Sequence, residues 1–206
     1  MAKAVEIMDD NIVITSPSRY LIHVKGEGGC LLNRLDPAAL SKGDVEGNPD
    51  QAIKSKEDQE WTTWKNKLYV REGMVSVPGE NPHEMLKSAC RYWGAKIPGD
   101  GKKTWTDVFA KAVICESFDF GIPVDDSKII PFQKAVAVGS RNKSKVLRIR
   151  PMIQPWEATC RVHAFDARIS YNVMKTVWLY AGAFIGFGDW RPVYGRFNVV
   201  SVEKEM

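Results

Sequence analysis

The C-terminal third of the chain allows few arrangements. VLRIRPMI (146–153) and WEATCRVHAF (156–165), separated by Pro155, are rich in β-branched and aromatic residues. Along the second, Ala158, Cys160, Val162 and Ala164 alternate with Arg161, His163 and Phe165, the two-residue period of a half-buried strand. ISYNVMKTVWLYAGAFIG (169–186) then changes period: Val173, Val177, Tyr180, Ala181 and Phe184 form a helical apolar stripe. GFGDWRPVYG (186–195) is a glycine-rich loop, and RFNVVSVE (196–203) a last strand, expected to lie centrally or near-centrally in a sheet that the helix covers.

Strand, helix, loop, strand is the second half of a split βαβ unit. The first half is legible further upstream. NIVI (11–14) and YLIHVK (20–25) read as strands, and GEGG (26–29) as a turn. VPGENPHEMLKSACRYWGAKIP (77–98) holds a Pro78-Gly79 turn and a helix with Asn81 as cap, Pro82 at its first position and Glu84 in a capping box. Gly94 closes that helix. WTTWKNKLYV (61–70) alternates like a strand, and KTWTDVFAKAVICE (103–116) reads as a short helix leading into one. Residues 36–60 are polar and aperiodic, a long mobile excursion. The expected fold is α+β: one domain over 1–206, a ferredoxin-like antiparallel sheet with helices on one face, and a large insertion at about 36–60.

Several function classes are excluded on composition. No apolar run approaches a membrane span, and the N-terminus has no basic-then-apolar leader, so the expected location is the cytoplasm. Cys30, Cys90, Cys115 and Cys160 are scattered without metal-ligand spacing and read as small buried hydrophobes. No metal, cofactor or catalytic residue is expected: hydrolase, metalloprotease and phosphate-loop motifs are missing, and Asp125-Asp126 lies among turn residues.

The net charge of +4 permits a nucleic-acid partner, and its distribution is more telling. RNKSKVLRIR (141–150) has five cations and no acid. Lys143, Lys145, Arg148 and Arg150 are candidate phosphate contacts, or else the charged guard of an edge strand. Arg161, His163 and Phe165 form a stacking face if the sheet is open there; if a helix covers it, Phe165 is core. In the glycine-rich loop Trp190 offers a stacking plane and Arg191 and Arg196 offer charge. Alternatively Asp189 pairs with Arg191 or Arg196 while Trp190 plugs the core. Lys87 and Arg91 share one exposed helical stripe, a further contact or a plain solvated face.

Two segments, VPGENPHEMLKSACRYW (77–93) and AGAFIGFGDWRPVYGRFNV (181–199), resemble the RAMP superfamily, whose members hold RNA in CRISPR effector complexes. They look like its proline-turn-then-basic-helix element and its C-terminal glycine-rich loop. RIRPMIQPWEATCRV (148–162) with FGDWRPVYGRF (187–197) resembles an uncharacterised family of tailed bacteriophages. The resemblance implies an RRM- or RAMP-like fold that binds single-stranded DNA or RNA, with self-association into an oligomer or filament. RAMP endonucleases use a catalytic histidine, and His23, His83 and His163 match no such position, so the expectation is binding without cleavage. The alternatives are a module engaging a host or phage protein, with Trp61, Trp64, Trp93 and Trp105 as anchors, and a virion structural protein; a nuclease comes last.

Overall fold

The protein is described by a computed structural model over residues 4–6, 13–35, 58–138 and 144–205. Most of the expected insertion, residues 36–57, and Lys143 in the basic run lie outside the described residues. A small ladder pairs β1 (Ala4–Glu6) with β2 (Val13–Thr15). In β3 (Ser18–Gly26), Tyr20, Ile22 and Val24 are buried, as the alternation requires. The two-residue β4 (Cys30–Leu31) follows.

Residues 58–63 are helical and run into a 3-10 turn, Trp64–Lys67, where a strand over 61–70 is expected. The hydroxyls of Thr62 and Thr63 bond back to the carbonyls of Asp58 and Gln59, at 2.8 and 2.7 Å, a helical four-residue step. The apparent alternation has no buried side here, since no residue of Trp64–Lys67 is buried.

β5 (Val70–Arg71) and β6 (Met74–Pro78) form a hairpin whose two linking residues, Glu72 and Gly73, have φ of +52° and +77°. Two left-handed residues match the twist of tightly linked strands. Helix α1 (Glu80–Trp93) begins earlier than the capping pattern suggests: Gly79, not Asn81, is its N-cap, and Pro82 sits within its first turn, where its missing N–H costs nothing. A Cβ on Gly79 would fall 2.0 Å from the carbonyl oxygens of both Cys115 and Glu116, so only glycine fits. Gly94, with φ of +64°, closes the helix as expected.

Helix α2 (Trp105–Ala112) leads into β7 (Val113–Pro123), then β8 (Ile129–Val138), β9 (Ser144–Ile153) and β10 (Glu157–Ala164). Ser170 caps α3 (Tyr171–Tyr180) by accepting the Val173 amide at 3.3 Å. A π turn (Ala181–Ile185) extends the helix, and β11 (Phe197–Glu205) ends the described chain.

The main sheet has six strands in the order β11-β3-β10-β7-β6-β5, every neighbour antiparallel. The helices pack on one another and on β6, β7 and β11, forming one layer. β11 therefore lies at the sheet edge and not near its centre, because the crossover through α3 carries the chain beyond β3. Glu203, Lys204 and Glu205 suit that edge, where charge discourages pairing with other chains. A second sheet, β4-β9-β8, is mostly one long hairpin.

Under the helices lies an aromatic core. Phe118 stacks on Phe187 at 3.9 Å between ring centroids and on Trp178 at 6.4 Å, and Phe197 meets both Trp156 and Trp178 at 6.1 Å. All four cysteines are free and buried. Burial pushes the Cys90 thiol up to about 12, which keeps it protonated. Among the described residues no helix is long and apolar enough to cross a membrane.

Candidate nucleic-acid interface

The basic strand is β9, and its pairing decides which cations share a surface. β8 and β9 pair without a register shift, Phe132 opposite Arg150 and Lys134 opposite Arg148. Residues directly opposite share a face, so Phe132, Lys134, Arg148 and Arg150 lie together. Ile149, Pro151 and Ile153 are buried on the reverse. The same alternation puts Lys145 on the Ile149 side, so this exposed lysine stands on the face opposite Arg148 and Arg150.

Beyond the short β4, the edge of β9 is finished by side chains. Glu60 accepts the Ile149 amide at 2.8 Å and Lys67 donates to the Ile149 carbonyl at 2.7 Å. Glu60 also binds Lys67 at 2.6 Å and Arg148 at 2.9 Å. Burial pushes the Glu60 carboxyl up, but the Ile149 amide, Lys67 and Arg148 together outweigh it and hold it below the usual carboxylate range. Arg148 is thus paired, though its side chain stays 43% exposed.

The glycine-rich loop packs on this hairpin. Its path is fixed by backbone bonds: Phe187 N to Gly195 O at 2.8 Å, Gly195 N to Gly29 O at 2.9 Å, and Asp189 N to Leu31 O at 2.7 Å. A Cβ on Gly188 would lie 2.3 Å from the Leu31 carbonyl oxygen, so the approach to β4 needs glycine. Asp189 reaches over β9 and pairs with Arg150, not with Arg191 or Arg196; the Arg196 Nε donates instead to the Pro192 carbonyl at 3.1 Å. Trp190 does not plug the core: it is half-buried against the hairpin face. The Arg150 guanidinium carbon is 4.3 Å from the Trp190 ring centroid and the Lys134 ammonium 5.0 Å. Phe132 meets Trp190 and Tyr194 edge-on at 5.9 and 5.3 Å. Trp190 itself has φ of +52°. A left-handed bulky residue costs about 1–3 kcal/mol and persists only where its surroundings enforce it.

Arg150 and Trp190, far apart in sequence, therefore meet on one surface, with Arg148 on the same strand face; among the described residues, Arg191 and Arg196 stand on the loop without a contact to that face. Sequence reasoning missed Phe132, Lys134 and Tyr194. Lys134 and Phe132 could have been found from the strand register, had the hairpin been placed.

The other groups lie elsewhere. Arg161 and His163 occupy the main-sheet face away from α1, α2 and α3, and among the described residues no helix covers them; Phe165, just past β10, is 46% exposed and is not core. That face is charge-compensated: Arg161 binds Glu205 at 3.1 Å and Glu116 at 3.3 Å, and His163 binds Glu116 at 2.7 Å. The His163 bond chiefly, with Arg161, holds the Glu116 carboxyl low. Lys87 and Arg91 lie on α1, in the helical layer on the opposite side of the sheet, with Lys87 bonded to Glu84 at 2.5 Å. Trp105 is buried beside Trp93, which removes it as an interface anchor, whereas Trp61 is exposed. His83 is spent on the Phe109 carbonyl at 3.0 Å, tying α1 to α2. Among the described residues no cluster of three metal-ligating side chains occurs.

No described protein family and no curated protein matches this sequence. Among solved structures, the chain is similar to one in the type III-B Cmr-beta complex, determined by cryo-EM bound to cognate target RNA. The two share 11% identity with a TM-score of 0.53 over 92% of this chain. The match spans 61% of the Cmr-beta chain, so this protein corresponds to part of it. At that identity the likeness is one of fold.

Proposed function

We propose that the protein binds single-stranded nucleic acid without strong sequence preference, as a RAMP-type, ferredoxin-like protein with no catalytic step. The observation that carries the reading is the loop–hairpin surface, where Lys134, Arg148 and Arg150 gather with Trp190 and Arg191 and Arg196 stand on the same loop. Cations beside an aromatic plane suit a strand whose phosphates attract charge and whose bases stack. The strand order supports the ferredoxin-like part. β3, α1 and β7 form one split βαβ unit, β10, α3 and β11 the second, interleaved as β11-β3-β10-β7. The Cmr-beta neighbour, solved with RNA, points the same way. Binding in the cytoplasm, in a phage-type setting of replication, recombination or counter-defence, with copies assembling along the strand, completes the reading.

A gel-shift with labelled single-stranded RNA and DNA at two salt concentrations tests it. We expect binding to both at low salt that weakens as salt rises, because phosphate contacts release counterions. No shift with either strand at low salt overturns the reading.

A second reading, a protein-binding module, has one observation in its favour. Tyr92, 59% exposed, stacks on Phe184 at 4.8 Å, and Leu179 is exposed nearby in the helical layer. An apolar surface of this kind suits a protein partner better than a phosphate chain.

A further inference from the structure

We propose that Arg150 is a positioning residue, holding Trp190 where a base of the bound strand rests, and does not itself contact phosphate. This rests on the strand-binding reading above.

Arg150 and Arg148 differ in what remains available. The Arg150 side chain is 15% exposed against 43% for Arg148, although the two share one face of β9. Its guanidinium lies over the Trp190 ring with the carbon 4.3 Å from the centroid, and one of its NH groups is taken by Asp189. A planar fork already stacked and paired has little left to offer a phosphate. What it does instead is structural at the point of contact. Asp189 is anchored to β4 through the Leu31 carbonyl at 2.7 Å, so the chain of contacts Leu31–Asp189–Arg150–Trp190 fixes the indole relative to the hairpin. Trp190, at the end of this chain of contacts, is the residue with the left-handed backbone. Lys134, exposed and with its ammonium 5.0 Å from that ring, is left as the cation beside the stacking plane. A lysine at 150 cannot reproduce the arrangement, because an ammonium neither lies flat on the indole nor presents a fork to Asp189.

The experiment measures single-stranded RNA affinity against salt for the full chain and for R150A, R150K, W190A and R150A/W190A, with melting temperatures on the same samples. We expect R150A, R150K and W190A each to lose about fivefold or more in affinity, the range a lost base stack produces. The salt slope should match wild type, since no phosphate contact is removed, and the double variant should bind no worse than the single ones. If R150A lowers the slope by about 0.7 while R150K retains affinity, Arg150 is a phosphate contact and the proposal is wrong. If all variants fold and bind like wild type, the stack is structural only, which also overturns it. If wild type itself fails to bind at low salt, the strand-binding reading falls first and takes this one with it.

Discussion

Gly195 and Gly94 both hold a left-handed backbone, with φ of +76° and +64°, yet their surroundings differ. A Cβ on Gly195 would fall 1.7 Å from the Phe187 carbonyl oxygen, whereas one on Gly94 meets nothing within 4 Å. Gly94→Ala should therefore cost only the conformational term, about 1–2 kcal/mol. Gly195→Ala should cost clearly more, because the loop must also part from its own backbone. Thermal denaturation of the two variants side by side checks the order; equal losses would show that the loop yields easily. The sequence announces these glycines as punctuation, but it does not say which of them touch. Likewise Asp189, Trp190 and Arg150 are visible as a polar–aromatic–basic set. Their pairing is not, because it depends on how far the loop reaches over a strand nearly forty residues earlier.

At the scale of elements, strands with one buried face are the most legible. β3 and β10 follow their alternation residue by residue, since a slip by one would bury His23 or Arg161. Residues 61–67 mislead for the converse reason: none of them is buried, so alternation carries no information there, and local hydroxyl-to-carbonyl bonds choose the helix. That helical segment finishes the edge of β9 through Glu60, which makes a pH prediction. The Glu60 carboxyl is held low in the folded protein, so the folded state binds fewer protons than the unfolded one. Its contribution is present above the unfolded carboxylate range and is lost as pH falls through the depressed folded value. Wild type should lose more stability than Glu60→Gln between about pH 5 and pH 3, where carboxylates ordinarily titrate. Urea midpoints at both pH values test this, and identical losses would remove Glu60 from the account.

Across the whole molecule, two surfaces carry cations in different states. On the open sheet face Arg161 is bonded to Glu205 and Glu116, while on the hairpin face Lys134 is exposed beside Trp190. Lys134→Ala should lower the salt slope of single-strand binding by about 0.7, and Arg161→Ala should leave it unchanged. The reverse result would move the interface to the open face. That two faces compete at all was hidden in the sequence, where Arg161 looks as available as Lys134; the compensating acids come from β7 and β11, remote in the chain. One backbone bond has a consequence for how the protein can be rebuilt. The Arg34 amide meets the Lys67 carbonyl at 2.8 Å, and the Lys67 ammonium donates in turn to the Ile149 carbonyl at 2.7 Å, so residue 34, the turn at 64–67 and β9 are tied in series. Position 34 is therefore open to a new side chain but closed to proline: Arg34→Pro deletes the N–H and should lower the melting temperature, whereas Arg34→Ala keeps it and should melt near wild type. Equal melting temperatures for the two variants would show that this backbone bond contributes no stability.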